Sequence, residues 1–78
     1  MARADQQWQE RVKRLLKTEL TRRGISYREL ASRLDAIGVK DTEDNFNKKI
    51  ARGGFTAIFF FQCMEAIGCR TLRLHEDE

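Results

Sequence analysis

Four of the five glycines in this 78-residue chain, Gly24, Gly38, Gly53 and Gly68, each stand just past a stretch with apolar residues at helical spacing. Glycine accepts the left-handed backbone conformation that closes a helix. The glycines therefore divide the chain into four helical segments and short connections. There is no proline, and five glycines are too few for the turns of an all-β domain. The punctuation predicts a small all-α domain of four to five helices.

Each segment also carries a start signal. The first runs from about Asp5, a reasonable N-cap, to Arg23, with Trp8, Val12, Leu15, Leu16 and Leu20 forming an apolar stripe. Ser26 and Glu29 form a capping box ahead of the second, whose inward face reads Tyr27, Leu30, Ala31, Leu34 and Ile37. Thr42 or Asp41 can cap the third, which turns Phe46 and Ile50 inward and Lys48, Lys49 and Arg52 outward. Thr56 can cap the fourth, with Ala57, Phe60, Phe61, Met64 and Ile67 on one face and Ile58, Phe59 and Cys63 flanking it. That helix is apolar over most of its circumference, as befits one central to a core or shared with a partner. Beyond it, Cys69 to Leu74 alternates polar and apolar residues, compatible with a short C-terminal strand or an extended tail. His75 to Glu78 reads as a disordered acidic tail, so residues 1–74 form the single expected domain.

Leu, Ile, Val and Phe number 19, enough for a thin core. A domain of this size has only a few kcal/mol of stability, and dimerisation is a natural supplement. Charge is distributed unevenly. Residues 1–33 hold nine basic and four acidic side chains, residues 34–54 four of each, and residues 55–78 two basic and four acidic. A basic N-terminal half attracts polyanions, although arginines on a solvated helix face often bind nothing. Cys63 and Cys69 match no zinc or redox spacing, which points to reduced thiols, a cytoplasmic protein and Cys63 packed as a small hydrophobe. The opening MARADQQWQER has no apolar leader core, and AIFFF is too short to span a bilayer.

Taken together, Leu16 and Leu20 in the first helix, Ser26-Tyr27-Arg28-Glu29-Leu30-Ala31 opening the second, Phe46 and Ile50 in the third, and the turn at Gly53 resemble the Cro/C1-type, lambda-repressor-like helix-turn-helix domains over about residues 10–69. Arg23 to Ala31, Ala36 to Val39 and Arg52 to Phe55 are also similar to R-G-[IV]-[ST]-Y-x-E-L-A, A-I-G-V and R-G-G-F of a set of small bacterial proteins, a resemblance that implies no activity. The helix-turn-helix resemblance implies sequence-specific binding of double-stranded DNA by a homodimer in transcriptional regulation. It would lay residues Thr42 to Arg52 in the major groove and set Ser26, Tyr27 and Arg28 against phosphate at a helix N-terminus. Asn45 and Asn47 would offer amides to base edges, adenine above all, and Lys48, Lys49 and Arg52 would hold phosphates.

Two departures from that family pattern bear on function. Residues 35–41 lengthen a connection that is usually tight, and Asp41, Glu43 and Asp44 crowd the start of the third helix. Those acids suit the helix dipole but repel DNA phosphates. The alternative reading is a protein-interaction or dimerisation module on the same scaffold, for which the phenylalanines from Phe55 to Phe61 argue. Single-stranded nucleic acid ranks third, since stacking needs exposed aromatics and only Trp8 and Tyr27 qualify. An enzyme is not expected: the one histidine is His75 in the tail, no side chain sits in a nucleophile context, and no metal or cofactor motif is present. The sequence does not say which small-molecule ligand or partner controls the protein.

Overall fold

The capping pattern of the sequence reappears in the fold. In the computed structural model, which describes the backbone of residues 3–74, four helices follow one another: α1 (Arg3–Arg23), α2 (Tyr27–Ala36), α3 (Glu43–Arg52) and α4 (Ala57–Ala66). Ser26, Thr42 and Thr56 are the N-caps of α2, α3 and α4, each with its hydroxyl accepting from the N–H three residues on. Each thereby satisfies an amide that the helix cannot pair internally. The capping box at Ser26 is only half made: Glu29 donates its backbone N–H, while its carboxylate turns to Arg33 at 2.8 Å. Asp5 lies inside the first turn of α1 rather than at its cap.

The C-termini close by glycine and by cations reaching across. After α2, Gly38 adopts φ +90° and Val39 N–H donates to Leu34 C=O at 2.9 Å, completing a Schellman closure. Lys13 of α1 donates to Ala51 C=O near the end of α3 (3.2 Å), and Arg33 of α2 donates to Ala66 C=O at the end of α4 (3.3 Å). A cation at these positions meets both an unpaired carbonyl and the negative end of the helix dipole.

α2 packs on both α3 and α4, and α1 lies against α3. Leu16, Leu20, Ile25, Leu30, Leu34, Phe46, Ile50, Phe59, Cys63, Met64 and Ile67 form one buried core. An aromatic row knits α3 to α4: Phe46 stacks on Phe59 (centroids 5.8 Å apart), and Phe55 meets Phe59 edge-on (5.6 Å) and Phe60 face-on (6.2 Å). The Cα radius of gyration is 12.4 Å, near the roughly 11.5 Å of a compact chain this long.

Three further expectations are corrected. α4 is rotated from the expected phase: Phe59 and Cys63 point inward, while Ala57, Ile58 and Phe61 face solvent. An apolar pattern nearly all the way round cannot set a helix's rotation, and stacking with Phe46 and Phe55 sets it here. Ile37, the C-cap of α2, is 45% exposed because the chain turns there. Residues Cys69–Leu74 form no strand among the described residues; at the start of this segment Cys69 Sγ lies 3.9 Å from Glu19 of α1. The expected tail at His75 to Glu78 lies outside the described residues.

Candidate nucleic-acid interface

α3 is a two-faced helix, with Phe46 and Ile50 in the core. At 100° per residue, Asp44 and Lys48 then project directly away, with Asn45 and Arg52 beside them; all four are exposed. Arg28, in the first turn of α2, reaches the start of α3 and pairs with Glu43 at 3.8 Å. Asp44 pairs with Lys48 one turn on (3.1 Å), and Asp41 with Lys49 (3.8 Å). Each acid that crowds the start of α3 is therefore matched by a base of the same surface. Exposed pairs of this kind contribute roughly 0–1 kcal/mol, so a competing phosphate can displace the acid at small cost.

The expected site residues do not behave alike. Lys48 and Arg52 are outward, and no hydrogen bond or ion pair engages Arg52 among the described residues. Lys49 is only partly outward. Its ammonium lies 5.0 Å from the Phe59 ring centroid and 6.0 Å from that of Phe46, so it also covers the seam between α3 and α4. The Asn45 amide is held by Asp41 Oδ1 at 2.7 Å, and the same oxygen accepts Thr42 N–H at 2.8 Å. Those two hydrogen bonds, the Asn45 amide first, and the Lys49 charge hold the Asp41 carboxyl below its ordinary value. Asn47 is half-buried, and its Oδ1 is out of contact with water and without a hydrogen-bond partner among the described residues. It stands on the flank of α3, not on its outer face. Thr42 is occupied as the N-cap.

At the start of α2, Ser26 and Arg28 are exposed and Tyr27 is half-buried. An open depression of about 370 Å³ lies there, lined by Lys17, Leu20, Thr21, Ile25, Ser26 and Tyr27. Lys17 adds a positive charge beside the α2 N-terminus, and Arg14 continues the basic face along α1, lining a neighbouring depression with Lys17 and Arg22.

Two further residues shape the site without any sequence motif to mark them. Gln9 of α1 sits against the α3–α4 turn, where a Cβ placed on Gly53 would lie 3.0 Å from the Gln9 carbonyl oxygen. Glu19 is only 4% exposed and is paired to Arg22 and Arg23. Their positions on the inner stripe of α1 are the only signal, and polar residues there read as ordinary helix surface.

Elsewhere the chemistry is quiet. Burial pushes the Cys63 thiol up to about 12, so at neutral pH it is protonated and inert. No cluster of potential metal ligands occurs among the described residues, and no helix there is long and apolar enough to cross a membrane.

Residues 8–72 match the model of a domain of unknown function, DUF6471, and the chain belongs to that family. No curated protein and no solved structure matches it.

Proposed function

We propose that this DUF6471 domain is a lambda-repressor-like helix-turn-helix that binds double-stranded DNA through α3, as a homodimer, in transcriptional regulation. The observation that carries the reading is the pairing of two ten-residue helices, α2 and α3, with Lys48, Arg52 and Asn45 exposed on the face of the second that points away from the core. A helix held in this way by its neighbour can enter a major groove. Lys48, Arg52 and Arg28 would position the duplex by its phosphates, and the N-terminus of α2 with Lys17 would bind one more. Base reading falls to Asn45, released from Asp41, more readily than to half-buried Asn47. A protein-interaction module is the second reading, favoured by the exposed Ile58 and Phe61 of α4.

Fluorescence anisotropy with a mixed-sequence duplex at about 50 and 200 mM salt tests the first reading, since several phosphate contacts make affinity fall steeply over that range. Lys48→Ala and Arg52→Ala should each weaken binding uniformly across sequences and lower the salt slope by about 1. Lys49→Ala is the poorer probe because it also uncovers the α3–α4 seam. A protein that binds no duplex even at about 50 mM salt is not a DNA-binding domain of this kind.

A further inference from the structure

Three of the large apolar side chains that remain exposed, Ile37, Ile58 (72%) and Phe61 (76%), line a single open depression with Gln62 and Glu65. We propose that this face is a homodimer interface, in which α4 packs antiparallel against α4 of a second copy about a two-fold axis at Phe61.

Position, area and charge support this occupant. Phe61 stands at the middle of the ten-residue α4, so a two-fold axis there brings the outer faces of both helices into register along their whole length. At their observed exposures the three side chains present roughly 350 Å² of apolar surface, within the range of a patch that is often functional. Two copies together bury about 700 Å² of it, and a polar rim brings the total to about 1,200 Å², the lower bound of a specific interface. That predicts a dimer that dissociates on dilution.

The charge pattern also fits a second copy. α4 has no acidic residue in its first turn. In the antiparallel register Glu65, four residues past Phe61, falls opposite Ala57 of the second copy. Each helix then receives from its mate the negative charge that its own N-terminus lacks. A two-fold interface requires such reciprocity, because the same patch serves both sides.

The dimer names the face for the homodimer of the proposed function, but its test reads only mass, so it can fail while DNA binding survives, and the reverse. Sedimentation equilibrium of the full chain from about 10 μM to about 1 mM covers the range of a weak interface. The mass is expected to rise from monomer to dimer. Phe61→Glu, at an exposed position, should keep the helical circular dichroism and weaken association roughly 30-fold or more, as for the centre of an interface. Glu65→Lys should weaken it about threefold or more, by setting a cation at a positive helix end. A wild-type chain that stays monomeric throughout, or a dimer unaffected by Phe61→Glu, overturns the proposal.

Discussion

Gly53 meets two separate demands at one position. It ends α3 with φ +76°, its N–H donating to Lys49 C=O, and it lets the Gln9 backbone of α1 approach. A side chain at such a φ costs about 1–2 kcal/mol, and a Cβ 3.0 Å from Gln9 O adds a contact that one backbone must yield to. Gly38 provides the control, with φ +90° but nothing within 4 Å of its Cβ position. Urea denaturation should therefore show Gly53→Ala losing roughly 2–3 kcal/mol and Gly38→Ala roughly 1–2 kcal/mol. Equal losses would mean that α1 moves aside freely and that its approach to the turn contributes nothing. In a domain with only a few kcal/mol of stability, the larger loss leaves much of the chain unfolded at room temperature.

At the scale of elements, α3 begins with a brace built from one carboxylate. Asp41 accepts from Thr42 N–H and from the Asn45 amide, and Lys49, about one turn beyond Asn45, lies 3.8 Å from the same side chain. Its folded pKa is lowered, so the stability it contributes is present above the ordinary value of 3.8 and is lost as pH falls through the folded value. Carboxyl NMR titration should find Asp41 below 3.8 in the wild type and moved back toward it in Asn45→Ala, because the Asn45 hydrogen bond is the largest cause. A wild-type Asp41 titrating at the ordinary value would dismiss the brace. The contrast between α3 and α4 also explains how far the sequence could be read. Phe46 and Ile50 are the only large apolar residues of α3, so the inward face and outward Lys48 and Arg52 follow from phase alone. In α4 eight of ten residues are apolar or cysteine, and phase says nothing of which phenylalanine turns inward. Asn47 and Lys49 lie at the borders of the buried face of α3, where packing between helices, not periodicity, decides exposure. Gln9 is illegible for a similar reason, because it matters through Gly53, a partner distant in sequence. Glu19 pairs locally with Arg22 and Arg23, and its burial comes from packing that includes distant Cys69.

For the whole molecule the open question is the sign of the field at the α3 surface. Arg28, Lys48, Lys49 and Arg52 stand there among Asp41, Glu43 and Asp44, four bases among three acids. The two readings of the protein demand opposite roles of those acids. Against DNA they are a residual repulsion, and the double variant Glu43→Gln, Asp44→Asn should tighten binding about tenfold at low salt, since charges at contact distance each contribute on the order of 1 kcal/mol in water. It should also steepen the salt slope, because Arg28 and Lys48 lose their internal partners and become available to phosphate. Against a basic protein partner the same acids are contacts, and neutralising them weakens binding. Helix stability falls by about 0.3–1 kcal/mol per charge in either case, so circular dichroism must accompany the titration. Anisotropy with one duplex at two salt concentrations reads the sign directly. DNA affinity that does not respond to the double variant would place the nucleic acid elsewhere, with the basic face of α1 around Arg14 and Lys17 the next surface to alter.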